Sequence, residues 1–351
     1  CAIGAIQNLA LGIFDRSYAL PITVLVFFLA PIVVALFGGR AFCSGVCPHG
    51  AIQDLVLFKP VQVPAWLEHS LGLIPFIFLG AGVVFAATGS AFIICRYDPF
   101  VPLFRLSGSM PLVTLGVAFL VVGIFVGRPY CRFLCPYGAL LRMGSVVSKW
   151  RVRVTPDLCT QCRLCEHSCP YGAMREPVVA PSKPEPAPRQ RRRLALLLLA
   201  LPGLITVGAL LGSQLGGPAS RLHPTVALAE LHAEQRIAPK QFPPMTPEAL
   251  SLERAEADPK ALLESARVMR RRFTLAGWWF GGWVGLVIGF KLITLSVRPA
   301  RTDYEPDRGM CFGCARCFEF CPNELVRRGL LPAAPPGGAK PVAAVAPVPK
   351  G

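Results

Sequence analysis

The sequence has 351 residues, of which 53% are hydrophobic and only 16% charged, against a usual charged share of about 25%. Its 36 Lys and Arg outnumber 20 Asp and Glu, for a formal charge of +16. That balance argues against a purely soluble protein and for a membrane protein with basic loops. Nucleic-acid binding is the other reading of so basic a chain, but the Arg clusters here border apolar segments, as membrane loops do. Starting at Cys1 rather than Met, the sequence is expected to be processed or incomplete, and no signal or transit peptide is visible.

The expected fold class is an all-α polytopic membrane protein with about five spans, an internal repeat, and a cytoplasmic ferredoxin-like two-cluster module formed from two separated segments. Residues 1–150 read as a membrane core with two CxxxCP repeats, containing spans near 19–38, 71–94 and 111–127. The third is short and is expected to extend into its flanks, since a helix needs about 20 residues to cross the hydrocarbon. Residues 151–178 carry a first ferredoxin-type motif and 179–193 a Pro/Arg linker. A span at 194–217, an outer (periplasmic) loop at 218–273 and a Gly-rich span at 274–296 follow. Residues 297–330 carry the second ferredoxin-type motif, and 331–351 read as a disordered tail. The Arg-rich stretch between spans three and four is expected in the cytoplasm. Alternation then puts residues 39–70 and the C-terminal tail there too, and the N-terminus, 95–110 and 218–273 outside. Gly277, Gly281, Gly285 and Gly289 recur every four residues, so they share a helix face that another helix can approach closely, in this chain or in a partner.

Fourteen Cys is too many for chance. Cys159, Cys162, Cys165, Cys169 with Pro170, and Cys311, Cys314, Cys317, Cys321 with Pro322, both match the bacterial ferredoxin pattern C-x2-C-x2-C-x3-C-P. In two-cluster ferredoxins the fourth Cys of each run ligates the other cluster. Cluster one is therefore assigned to Cys159, Cys162, Cys165 and Cys321, and cluster two to Cys311, Cys314, Cys317 and Cys169. Zinc is the competing metal, but two full matches ending in Cys-Pro favour two 4Fe-4S clusters.

The internal repeat aligns GRAFCSGVCPHGAI at 39–52 with GRPYCRFLCPYGAL at 127–140. If each segment is helical, its two Cys share a face, although the following Pro favours a turn. Cys43, Cys47, Cys131 and Cys135 are together the complement for a third iron–sulfur cluster. Structural disulfides, disfavoured in cytoplasm, and a Cu(I) or Zn site are the alternatives. Cys1 and Cys95 fall on the outer side, where a disulfide, a metal, a partner contact or no special role are all open. His49 and His167 lie inside cysteine motifs, where hydrogen bonding can tune a cluster.

With these motifs the sequence resembles the NosR/NapH family of membrane polyferredoxins. The carrying residues are CSGVCP at 43–48, CRFLCP at 131–136, the two ferredoxin runs and the block CRYDPFVPLFRLSG at 95–108. The resemblance implies membrane-bound electron transfer between a cytoplasmic or quinone donor and a flavoprotein or reductase partner at the outer side of a bacterial inner (cytoplasmic) membrane. No S-G-A-T or T-G-A-T flavin attachment motif is present, so an FMN is expected on a preceding N-terminal part or on a partner subunit, and a quinone in the membrane. A redox-sensing factor, or an assembly factor for a periplasmic metalloenzyme, is the alternative. The density of cysteine motifs favours the carrier, since a sensor needs only one labile cluster.

Overall fold

A computed structural model describes residues 2–105, 108–150, 152–154, 159, 161–178, 187–237, 259–297, 301 and 303–332. Cys1 lies outside the described residues, as do parts of the expected linker (179–186), outer loop (238–258) and tail (333–351). Nearly all regular structure is helical. In chain order the helices are α1 Ala2–Phe14, α2 Ile22–Gly38, α3 Ala41–Gly45, α4 Pro48–Leu55, α5 Ala65–Leu71, α6 Ile74–Ala87, α7 Ile93–Tyr97, α8 Val101–Arg105 and α9 Met110–Gly123. There follow α10 Pro129–Phe133, α11 Pro136–Val146, α12 Leu164–His167, α13 Ala187–Ser220, α14 Pro224–Ile237, α15 Pro259–Ser296, α16 Arg316–Phe320 and α17 Pro322–Arg327. Two short strands, β1 Met174–Arg175 and β2 Glu305–Pro306, pair antiparallel.

Among the described residues three helical stretches are long and apolar enough to cross a membrane: Ala65–Ala87, Arg191–Ser220 and Pro259–Ser296. Of the five expected spans, those at 71–94, 194–217 and 274–296 fall in these stretches, and those at 19–38 and 111–127 fall in shorter apolar helices. Helix α2 has 17 residues and α9 has 14. At 1.5 Å per residue they rise roughly 26 and 21 Å, against about 30 Å of hydrocarbon. Helix α9 does not extend as expected, because the carbonyls just beyond its end are taken by another segment. Ile124 O accepts from the backbone N–H groups of Phe58 and Lys59, and Phe125 O from that of Val61 (3.2, 3.0 and 2.7 Å). The span expected at 71–94 ends at Ala87. There Thr88 Oγ1 caps back onto the Val84 and Phe85 carbonyls, and Gly89 turns the chain at φ +70°. The expected outer loop at 218–273 contains α14 and the first turns of α15, so Arg270, Arg271 and Arg272 are helical.

The chain divides into two units. The first comprises Cys1–Phe27, Phe76–Tyr97 and Pro188–Val297. Its long helices α13 and α15 run antiparallel through facing glycines. A Cβ on Gly212 would strike the Gly277 carbonyl, one on Gly281 the Gly208 carbonyl, and one on Gly216 would lie 2.6 Å from the Phe273 carbonyl. The expected glycine face is therefore used within the chain. Its partners Gly208, Gly212 and Gly216 complete it, and the backbones approach closely enough for dispersion to replace the missing hydrophobic drive. Away from that seam Leu196, Leu199, Leu210, Leu211 and Leu215 stand exposed, as lipid-facing residues do. Trp283 Nε1 donates to the Phe76 carbonyl at 2.8 Å, fixing α6 against α15. Cys95 sits against α1, with its N–H donating to buried Gln7 Oε1 at 3.1 Å.

The second unit comprises Phe28–Pro75, Asp98–Ala187 and Arg298–Gly351. It holds the described cysteines other than Cys95, and the ribbon β1–β2, extended by a bridge between Val178 and Arg301, joins its two separated segments.

The glycine seam makes a direct prediction. Gly281→Leu is expected to lower the stability of the detergent-solubilised protein by about 1–3 kcal/mol or more through overpacking. Gly217→Leu, where an added side chain meets open space, is expected to leave the thermal midpoint unchanged.

Candidate iron–sulfur sites

The two CxxxCP segments fold alike, but not as continuous helices. Cys43 lies in α3 and Cys131 in α10, and each short helix ends two residues after its Cys, before a new helix begins at Pro48 or Pro136. Cys47 and Cys135 are the N-cap residues of those new helices, with extended backbone. The expectation that each pair shares one helix face therefore fails. Proline lacks an N–H and is at home only in a first turn, so it restarts the helix there. The Gly of each Gly-Ala is needed for close approach. A Cβ on Gly50 would collide with the Cys43 carbonyl, and one on Gly138 would lie 3.0 Å from that of Cys131.

The four thiols come together in the second unit. Cys131 and Cys135 each feel Cys43 and Cys47 as neighbouring charges. Burial pushes the Cys131 thiol up to about 12 and raises Cys43 as well, against the pull of the Arg40 guanidinium on the latter. Burial also opposes ionisation of Cys47, yet hydrogen bonding to His49 and to the Gly50 N–H holds it below its ordinary value. Metal ligation requires thiolates, so a cationic centre is the natural counterpart of such a buried set.

Around them is a shell that sequence reasoning largely missed. Arg128, fully buried, reaches across to the other motif: Nη1 donates to the Cys43 carbonyl at 2.8 Å. Arg40 does the reverse, with Nη2 donating to the Cys131 carbonyl at 3.2 Å. Both guanidinium groups lie over the ring of Phe312, at 4.0 Å for Arg40 and 4.8 Å for Arg128. Asp54 pairs with Arg128 and accepts from Tyr171 Oη at 2.9 Å. Gln53 Nε2 donates to Cys131 Sγ at 3.2 Å, and its Oε1 accepts from the Tyr130 N–H. His49 lies between Cys47 and Asp98, 3.6 Å from the Asp98 carboxylate, and stacks on Tyr130. Arg40 Nε is buried without a hydrogen-bond partner. Such an orphan donor near thiols suits cluster sulfur. Only the repeat of Gly-Arg before each first Cys signalled the arginines, and only the block at 95–108 signalled Asp98.

The ferredoxin-type runs share one loop geometry. Gln161 and Arg163 in the first, and Gly313 and Ala315 at the matching places in the second, all have φ between +54° and +71°. Left-handed residues alternating with right-handed ones aim successive N–H groups into a common concavity, the nest found at many iron–sulfur sites. Gly313 N–H points at Cys311 Sγ and Ala173 N–H at Cys169 Sγ, both at 3.4 Å. Cys159, Cys162, Cys165 and Cys321 line one cavity. Cys169, Cys311, Cys314 and Cys317 line another. The ribbon makes this meeting, aided by Asp307 N–H donating to the Ala173 carbonyl at 2.7 Å and by the Arg175–Asp307 ion pair at 3.2 Å. Among the described residues no group of three or more His, Cys, Asp or Glu side chains is set to hold a single metal ion. Cys95 belongs to the first unit.

Two protein families match. One, described as a 4Fe-4S binding domain, matches residues 20–62 and 109–155, around both CxxxCP motifs. The other, also described as a 4Fe-4S binding domain, matches 152–175, the first ferredoxin run. The chain carries 4Fe-4S binding domains. Its relatives include the putative electron transport protein YccM of Escherichia coli (29% identical over 46% of this chain and 49% of YccM). Regulatory protein NosR of Pseudomonas aeruginosa is 30% identical over 40% of this chain and 21% of its own length. Ferredoxin-type protein NapH of Escherichia coli is 27% identical over 51% and 63%. The resemblance to NosR- and NapH-type proteins therefore holds, although the chain spans about half of YccM and a smaller part of NosR. No solved structure matches.

The residues present fit iron–sulfur clusters: thiols in fours, N–H groups aimed at sulfur, and buried cations beside them. The Arg128–Asp54 pair underlies the CxxxCP shell. Asp54→Asn would leave a buried guanidinium without its counter-charge, at an expected cost of about 3–5 kcal/mol, read as a lowered unfolding midpoint. Arg267→Ala, which removes an exposed pair with Glu264, is expected to leave the midpoint unchanged.

Proposed function

We propose that the chain is a membrane-bound electron carrier with three iron–sulfur clusters. Cluster one is held by Cys159, Cys162, Cys165 and Cys321, cluster two by Cys311, Cys314, Cys317 and Cys169, and a third is shared by Cys43, Cys47, Cys131 and Cys135. The carrying observation is that each ferredoxin-type cavity is lined by three Cys of one run and the fourth of the other. When bound, the clusters supply one-electron storage. The chain's own residues supply thiolates, aim N–H donors at sulfur and keep water away.

The carrier works between a cytoplasmic or quinone donor and a flavoprotein or reductase partner on the outer side of a bacterial inner membrane. Cluster motifs face the cytoplasm, and the five apolar segments of the sequence are the membrane elements, α2 and α9 bridging the hydrocarbon with their flanks. The Arg-rich stretch through Arg191–Arg193 supports that orientation. YccM, named an electron transport protein, supports the carrier reading. NosR, named a regulatory protein, supports the second reading of a redox sensor or assembly factor.

Purified protein is expected to contain about twelve irons with matching sulfide. Cys47→Ala and Cys135→Ala are each expected to remove the same EPR signal and at most about four irons, and the double variant to be no worse, because ligands of one centre act as a unit. Independent, additive losses would mean that each motif binds on its own, and unchanged iron would leave two clusters. Cys169→Ser is expected to damage the Cys311 centre more than the Cys165 centre. Loss of the Cys165 centre alone would overturn the crossed ligation.

A further inference from the structure

Three arginines are almost wholly buried in the second unit, and they are not equivalent. Arg128 faces Asp54, and Arg132 faces Glu68 at 3.4 Å. Arg40, 3% exposed, faces no carboxylate among the described residues. Its Nη atoms donate to the carbonyls of Cys131 and Gly309 (3.2 and 3.4 Å), its plane covers Phe312, and its Nε, like that of Arg132, has no hydrogen-bond partner. A guanidinium stays charged at any ordinary pH. Burying one without a counter-charge is costly, and carbonyl dipoles meet that cost only in part. Its guanidinium holds the Cys131 carbonyl, Cys43 follows it by three residues in the chain, and it lines one cavity together with Cys311. Cys43 and Cys311 belong to two different centres in the reading above.

We propose that Arg40 is a positioning residue that sets the midpoint potential of the CxxxCP centre and serves as counter-charge to both that centre and the Cys311 centre. The inference rests on the third cluster proposed above. Four thiolates around an iron–sulfur core make a net negative group, and one more electron makes it more negative. Burial opposes that electron, as it opposes any added charge. A fixed cation in the same low-dielectric surroundings favours it. The arginine therefore brings a buried centre within reach of the more exposed ones. Arg128 contributes less, because Asp54 already balances it. The Cys165 centre, whose cavity does not include Arg40, is the internal control, whereas Cys311 lines a neighbouring cavity together with Arg40.

The test is an EPR-monitored redox titration of the full-length protein, with Cys47→Ala used to assign the CxxxCP signal. Arg40→Met is expected to lower the reduction equilibrium constant of that centre at least tenfold, 59 mV for a one-electron couple. The Cys311 centre should shift less and the Cys165 centre not at all, and Arg40→Lys should keep most of the native potential. Unchanged potentials in Arg40→Met, or equal shifts in the Lys and Met variants, would overturn the proposal. If Arg40→Met does not assemble the centre, Arg40→Gln keeps amide donors without the charge and carries the same measurement. Loss of the centre in both neutral variants but not in Arg40→Lys would make the charge an assembly requirement and also overturn a potential-setting role. Failure of the underlying reading looks different: about eight irons and no third signal in the unsubstituted protein.

Discussion

Two arginines cross over each other's cysteine motif, and the second unit is arranged around that exchange. Arg40 holds the carbonyl of Cys131 while Arg128 holds that of Cys43. Each bond joins the first Cys of one repeat to the residue three before the first Cys of the other. Neither repeat could supply both halves alone, so the motifs are useful only as a pair. The same two guanidinium groups enclose Phe312, the residue after Cys311. One buried ring thus ties the CxxxCP layer to the ferredoxin-type module, and Tyr171, 4.8 Å from Phe312 and bonded to Asp54, closes the packing from the first run.

Such a polar interior is expensive unless every group finds a partner. Gln53 bonds Cys131 Sγ and the Tyr130 N–H, and Arg128 bonds Asp54 and the Cys43 carbonyl. Arg40 Nε and two nitrogens of Arg132, Nε and Nη2, have no hydrogen-bond partner. Arg40 bonds the Cys131 carbonyl, so its charge lies beside the CxxxCP motifs. This reasoning stands on the chain's own atoms and needs no analogy with relatives, whose matched portions are partial.

The first unit obeys a different solvent. Its long helices expose leucines and meet through glycines, because between lipid-facing helices close backbone approach, and not exclusion of water, supplies the attraction. The same chain therefore uses bulk apolar side chains outward in one unit and a buried set of charges and thiols in the other.

Much of this was legible in the sequence, and the reason is locality. Apolar runs gave helices, because hydropathy over some 20 residues is a local property. Cysteine spacing picked out the two runs whose loops share one backbone geometry, since that spacing is a local property. Glycines at four-residue spacing gave the close-packing face. The end of α9 was not legible, because loop residues 58–61 capture the carbonyls of Ile124 and Phe125 just beyond it. Nor was the break within each CxxxCP segment fully fixed by its proline, which favours a turn without fixing where the helix restarts. Tertiary structure alone decided which arginine is balanced and which is not. It also decided that α13 meets the glycine face of α15, and how the two halves of the module meet across the ribbon. The contacts responsible join residues 85, 91 and 269 positions apart. No periodicity or motif spacing reaches so far, because such contacts depend on the path of the whole chain between them.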